Sequence, residues 1–300
     1  MMKKLLTFGL LIVLIAAVAL IGCKKEAPLG SEENPIVWSF VPSGDTGEIS
    51  AGAKEVAQMI YDKTELYIET NIATEYAGVI EALSSDPPSA HMASLATFSY
   101  VMAADKGVAE AELISVRFGS PFYNGQIITK NGSGISKLED LKGKSFARPD
   151  PLSTSGWIIP MLSLRAAGVN PDSDLSQIVD AGGHTAVVSA VYNGDVDAGA
   201  TYVDARGNIE DDNPDVMDEV VVIAVSPEIP NDGVQFHPTV SDELREQIID
   251  ALLEIIATDE GQEAFSLAYQ WNALERHGDD FYDPFRQVLQ ASGLEAEDLQ

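Results

Sequence analysis

Asp150-Pro151-Leu152-Ser153-Thr154-Ser155-Gly156-Trp157 is the stretch on which the reading of this sequence turns. Ahead of it, Lys144-Ser145-Phe146-Ala147 has the composition of a short strand, and behind it Ile158-Ile159-Pro160-Met161-Leu162 is an apolar helical run. The order is strand, hydroxyl-rich turn, helix. Such a turn presents three side-chain hydroxyls and free backbone N–H groups at the positive end of a helix dipole. A small oxyanion can be held there without a lysine. The plainer alternative is that Ser153 or Thr154 only caps the helix.

Outward from this turn, strands and helices alternate. Ile36 to Val41, Leu66 to Thr70, Met92 to Leu95 and Leu113 to Phe118 read as strands. Helices are expected between them over Glu48 to Lys63, Glu75 to Leu83 and Tyr100 to Ala104. This alternation predicts an α/β protein with mainly parallel sheets covered by helices on both faces. A strand at Gln126 to Lys130 leads to Asn131-Gly132-Ser133-Gly134, taken as the crossing into a second lobe. That lobe continues with strands near Gln177 to Val179, Val196 to Tyr202 and Val220 to Val225, and a helix opening at Gly182-Gly183-His184. Pro227 to Gly233 reads as the return crossing, and helices fill the rest. The predicted division is lobe 1 over 35–125 plus 231–300 and lobe 2 over 126–230, with a two-segment hinge.

The chain starts with basic Lys3-Lys4, an apolar run from Leu5 to Ile21, and Gly22 before Cys23, the only cysteine. Residues 1–22 are expected to be a lipoprotein signal peptide, with Cys23 the lipidated first residue and 23–34 a polar tether. A plain membrane anchor helix is the alternative. The lipoprotein reading uses the only thiol and places the domain outside the cytoplasmic membrane of a bacterium. Hydrophobic residues make up 45% of the chain, enough for packed cores, and the formal net charge is −29. So acidic a protein repels nucleic acid and anionic lipid. It also means that an oxyanion site needs local donors.

Other chemistry is poorly supported. Gly143-Lys144-Ser145 imitates the end of a nucleotide loop, but the glycine required five residues earlier is Leu138. His91, His184, His237 and His277 have no paired-ligand spacing, so no metal and no cofactor are expected. Spacing does not exclude a Ser155–His184–Asp204 hydrolase, since triads assemble from distant positions. His184, opening a helix behind two glycines, is better read as a donor to an anion. Asp204 lies past the carboxyl end of a strand, where ligands sit in open α/β sheets, and can reach a ligand or cap a helix. The Tyr100 hydroxyl can meet the ligand from the other lobe, or its ring can pack in the core. Trp38, Phe40, Phe122, Tyr123, Trp157 and Tyr202 are candidates for apolar walls.

Taken together, the chain resembles the phosphonate/phosphite-binding lipoproteins of ABC importers, within the type II periplasmic-binding-protein fold. The resemblance runs from about Val37 to Leu267. It is carried by Leu138-Glu139-Asp140-Leu141-Lys142-Gly143-Lys144-Ser145-Phe146-Ala147 running into the Ser153 turn, by Tyr76-Ala77-Gly78-Val79-Ile80-Glu81-Ala82-Leu83, by Leu95 to Ala103, by Gly183-His184-Thr185-Ala186-Val187-Val188, by Gly194 to Ala200 and by Ile229-Pro230-Asn231-Asp232. It implies a monomeric solute-binding protein, not an enzyme, working with an ABC permease. Ser153, Thr154 and Ser155 would hold the phosphoryl oxygens, with His184 and Tyr100 adding donors and Asp204 less directly carried over. The chain departs from the pattern at Ser89-Ala90-His91-Met92, where an acidic residue is usual, and at Gly44-Asp45-Thr46-Gly47, where an Asp-Pro loop is common. A sulfonate, nitrate or pyrimidine precursor, or a sensor in place of the transporter, are the alternatives on the same fold.

Overall fold

The computed structural model describes residues 27–293. The leader, Cys23 and residues 294–300 lie outside the described residues.

The first part alternates as expected: β1 (Ile36–Phe40), α1 (Thr46–Thr64), β2 (Ile68–Ile72), α2 (Tyr76–Ser84), β3 (Met92–Ser94), α3 (Thr97–Asp105) and β4 (Glu110–Val116). Asp45 starts α1 by accepting the N–H groups of Gly47 and Glu48 with its side chain, and Ile49, Ala53, Val56, Ala57 and Ile60 form the buried face. The middle part holds β5 (Phe122–Lys130), β6 (Ser145–Arg148), α4 (Ile159–Ala166), β7 (Gln177–Asp180), α5 (His184–Asn193), β8 (Ala198–Tyr202) and β9 (Val220–Pro230). The chain then returns through β10 (Gly233–Phe236), α6 (Asp242–Ile256), α7 (Asp259–Tyr269), β11 (Ala273–Arg276) and α8 (Asp283–Ala291).

Two sheets result, one of six strands in the order β11-β4-β10-β3-β1-β2 and one of five in the order β7-β6-β8-β5-β9. β1 pairs parallel with β2 and β3, and β6 pairs parallel with β7 and β8. The strands that oppose this direction are β10 and β11 in one sheet and β5 in the other. β5 and β10 are the first strands laid down after each crossing, so they enter their sheets from the far end.

Both crossings are short and differ from the sequence expectation. The chain leaves the first sheet at Arg117–Pro121, ahead of β5. Asn131-Gly132-Ser133-Gly134 is only the turn that ends β5, because β5 pairs along its length with β8 and β9. The return occupies Asn231 and Asp232 alone: β9 runs on to Pro230 despite Pro227, since an edge strand has one row of N–H groups that need no partner. The two crossings clasp each other. The Asn231 N–H donates to the Pro121 carbonyl at 2.9 Å, and its side-chain amide donates to the carbonyls of Ser115 and Ser120 at 3.1 and 3.2 Å.

Apolar packing is continuous from Trp38, Phe40 and Phe98 on one side to Phe146, Trp157 and Ile158 on the other. A second cluster beneath α5 gathers Val187, Val188, Val191, Val216 and Val220. Within the expected polar tether, 23–34, residues 28–34 fold into a turn whose Gly30 carbonyl accepts the Tyr67 N–H at 2.9 Å. No described helix is long and apolar enough to cross a membrane.

Candidate functional site

The Ser153 turn is wider than an ordinary helix start. Thr154–Ile158 forms a π turn feeding directly into α4, with the Trp157 and Ile158 N–H groups both directed at the Ser153 carbonyl, at 2.9 and 3.0 Å. Such widened turns open the backbone at ligand sites. Gly156 makes the shape possible: a Cβ there would lie 2.3 Å from Pro149 Cδ and 2.8 Å from Ser153 Oγ. Ser153 Oγ accepts the Gly156 N–H at 3.2 Å, and Thr154 Oγ1 accepts the Phe98 N–H at 2.9 Å. A hydroxyl oriented by the bond it accepts keeps its own proton to donate.

His184 joins this turn from the start of α5. Its Nδ1 lies 2.8 Å from Thr201 Oγ1 and its Nε2 3.5 Å from Ser153 Oγ. Burial, reinforced by the Arg117 charge, holds the imidazole down to about 3, so the ring is neutral. Ser153, Thr154 and Ser155 are 1, 1 and 2% exposed and His184 4% exposed, so the whole group is covered.

The cover is the opposite half of the molecule, and it closes through three helix starts. The first N–H of α2, on Tyr76, donates to Asp150 Oδ2 at 3.1 Å. The Phe98 N–H at the start of α3 takes Thr154, and the His184 N–H of α5 donates to the Ser43 carbonyl at 3.0 Å. None of the three helices is capped by its own N-cap side chain, at Glu75, Ala96 or Gly183. Each is therefore capped across the cleft. Burial pushes the Asp150 carboxyl up, while the Leu152 and Tyr76 N–H groups pull it the other way.

Tyrosines complete the walls. Burial raises the hydroxyls of Tyr76 and Tyr269 well above their ordinary range and that of Tyr123 to about 12. Ser153, Ser43 and Ser155 respectively neighbour them and act in the opposite sense. All three therefore remain protonated donors at neutral pH. The Tyr202 ring packs on His184, with centroids 4.8 Å apart.

The structure thus brings Ser153, Thr154, Ser155 and His184 together, but not Tyr100 or Asp204. Tyr100 is fully buried, donates to Asp279 Oδ1 at 2.7 Å, accepts the Ala111 N–H at 3.2 Å and packs on Tyr282. Two residues on from Phe98, it lies about 200° around the helix, so it points away when the start of α3 faces the cleft. Asp204 is committed to Arg206 Nε at 2.8 Å and Gln126 Nε2 at 3.0 Å. Burial opposes its charge, but these partners hold the carboxyl below its ordinary value. A Ser155–His184–Asp204 triad is not assembled, since His184 Nδ1 faces Thr201 and its Nε2 faces Ser153. Sequence reasoning missed Asp150 as a lobe-to-lobe acceptor, and Tyr76 and Tyr269 as wall residues. Of the wall tyrosines, sequence reasoning offers only Tyr123 and Tyr202, as candidates for apolar walls.

The family described as "ABC transporter, phosphonate, periplasmic substrate-binding protein" matches residues 38–282. A Mycolicibacterium smegmatis protein named phosphate-import protein PhnD is 28% identical over 211 residues, 66% of this chain and 65% of that one, so the match spans just under two thirds of it. The phosphonates-binding periplasmic protein of Escherichia coli is 27% identical over 232 residues, 75% of this chain and 67% of that one. Among solved structures, the binding component of a Pseudomonas aeruginosa ABC phosphonate transporter has a TM-score of 0.78 at 22% identity, covering 89% of this chain and 87% of that one. PhnD1 of Prochlorococcus marinus, solved with methylphosphonate, has a TM-score of 0.75 at 14% identity, covering 85% and 97%. These neighbours share the two-sheet type II periplasmic-binding-protein fold. By its match over most of its length, the chain belongs to the phosphonate-binding periplasmic substrate-binding proteins of ABC transporters.

Proposed function

We propose that this protein captures a phosphoryl oxyanion, a phosphonate, phosphite or phosphate, in the cleft between its two sheets and delivers it to an ABC permease. Cys23 would carry the lipid that keeps it at the outer face of the membrane. The observation that carries this reading is the group of three successive hydroxyls on an opened helix start beside a neutral imidazole, all covered by the opposite half. The relatives named for phosphate import and phosphonate binding, and the methylphosphonate held by the Prochlorococcus neighbour, support the same ligand class.

The chemistry is recognition without a covalent step. Ser153 and Thr154 donate through protons oriented by the N–H groups they accept, and Ser155 and the tyrosines add donors around them. Neutral donors satisfy an anion's oxygens without burying a second charge beside it. Three or four such bonds at about 1.5–3 kcal/mol each supply about 5–12 kcal/mol, a range that includes the roughly 8 kcal/mol of a micromolar complex. Bonds made from both sides favour the closed form, which the permease would recognise.

Calorimetric titration with phosphite, methylphosphonate, phosphate, 2-aminoethylphosphonate and taurine tests the reading. At least one phosphoryl compound should bind, and Ser155→Ala should weaken it about 10-fold or more with the thermal melt unchanged. Binding of taurine alone, or affinity indifferent to Ser155→Ala, would refute it. Turnover of a phosphonate lost on Ser155→Ala would instead mark a hydrolase.

A further inference from the structure

The cleft has a second chemical feature besides its hydroxyls. Arg117, just after β4, and Asp232, just before β10, form a two-point ion pair, Nη1 to Oδ1 at 2.6 Å and Nη2 to Oδ2 at 2.9 Å. Nη1 also donates to Asn231 Oδ1 at 2.8 Å, Nε donates to the Tyr269 carbonyl at 3.0 Å, and Ser115 Oγ donates to Asp232 Oδ1 at 2.8 Å. The pair borders the site through its neighbours. Thr97, beside the Phe98 that meets Thr154, donates to the Pro230 carbonyl at 2.7 Å, two residues before Asp232. Tyr269, whose carbonyl holds Arg117, donates its hydroxyl to Val41 at 2.6 Å, two residues before Ser43. The Asp232 charge is felt at Tyr76, Tyr123 and Tyr269, and the Arg117 charge at His184, Tyr123, Tyr202 and Tyr269.

Five carboxylates act on the groups that line the cleft: Asp150, Asp204 and Asp232, with Asp180 and Glu75 acting on Asp150. All but the exposed Glu75 are already engaged, Asp180 by Arg148. Asp150 holds the N–H groups of Tyr76 and Leu152, Asp204 holds Arg206 and Gln126, and Asp232 holds Arg117 and Ser115. A ligand oxyanion needs only donors, and the hydroxyls supply them. A ligand that also carries an ammonium group needs an unshared negative charge, because an ion buried without a partner is costly. Here it would meet tyrosine walls and a guanidinium instead.

We infer that Arg117 is a specificity-determining residue: by occupying Asp232 it leaves no free carboxylate in the covered interior of the cleft, so the site takes a phosphoryl anion bearing hydrogen, hydroxyl or methyl and rejects one bearing an ammonium group. This rests on the oxyanion reading above and narrows it. The facing lobe also covers the serines almost completely, which favours a small substituent.

Titration of the wild-type protein with phosphite, phosphate, methylphosphonate and 2-aminoethylphosphonate gives the first arm. The ammonium-bearing compound should bind about 100-fold more weakly than the best of the other three. Arg117→Gln, which frees the Asp232 carboxylate, should narrow that gap to about 10-fold or less. The double variant Arg117→Gln with Asp232→Asn should restore the gap, because the freed charge is then gone. Wild-type binding of 2-aminoethylphosphonate as tight as that of methylphosphonate overturns the inference and leaves the oxyanion site standing. An undiminished gap in a folded Arg117→Gln overturns the role of Arg117. Silence across the whole panel overturns the oxyanion site, and the inference with it.

Discussion

His184 carries no charge in the folded protein at neutral pH, because burial and the Arg117 charge depress its imidazole from 6.5 to about 3. The unfolded chain exposes the same ring with its ordinary affinity for a proton. Between those two values the unfolded state binds more protons, so stability rises with pH through that window and is lost as pH falls below about 6.5. Urea unfolding midpoints should therefore drop between about pH 7 and about pH 5. The drop should be smaller in His184→Gln, and the wild-type imidazole resonances should stay flat over the same range. Equal drops in both proteins would show that the ring does not carry the effect. At this scale the sequence was legible where the chemistry is contiguous. Ser153, Thr154 and Ser155 stand side by side and announce a donor cluster. Tyr76, Tyr123 and Tyr269 come from three distant segments, and in sequence each looks like an ordinary core aromatic. Tyr100 was misplaced because the family segment fixes the helix but not its rotation.

Among the elements, the π turn ahead of α4 depends on the one residue that lacks a Cβ. Gly156→Ala would press a methyl group against the Pro149 ring, at 2.3 Å from Cδ and 2.5 Å from Cγ. The helix behind it lies in a continuous apolar core and should survive. The expected outcome is a protein that still unfolds cooperatively but has lost most of its affinity in calorimetry. Unaltered affinity would mean that the turn tolerates another shape and does not set the donor geometry. The principal helices were legible from apolar spacing, as along α1, whereas the Asp45 cap was not read from sequence. β10 and β11 were not, because Gly233–Phe236 and Ala273–Arg276 are too short to show a period and lie beside strong helical signals. β9 was cut short in the reading by Pro227, which is tolerated only because the strand lies at an edge, a fact set by tertiary structure. The trans-caps were invisible for the same reason: Glu75, Ala96 and Gly183 simply look like poor N-caps until the opposite half is in place.

For the whole molecule, a net charge of −29 is a self-repulsion that folding must overcome. Raising sodium chloride from about 0.1 M to about 1 M shortens the screening length from about 10 Å to about 3 Å. Thermal unfolding should accordingly shift to higher temperature over that range; a flat or falling midpoint would show that the acidic surface is locally compensated. The order of elements along the chain could be read in advance, but the place where it changes sheets could not, since Arg117–Pro121 has no more loop character than Asn131–Gly134. On the proposed function, the clasp that Asn231 makes on Pro121, Ser115 and Ser120 would decide how capture proceeds. Two backbone runs stitched side by side resist sliding and torsion far more than they resist flexing, like a door hung on paired pins. Solute uptake would then be a swing about one axis, in which each atom's travel grows with its distance from the stitch.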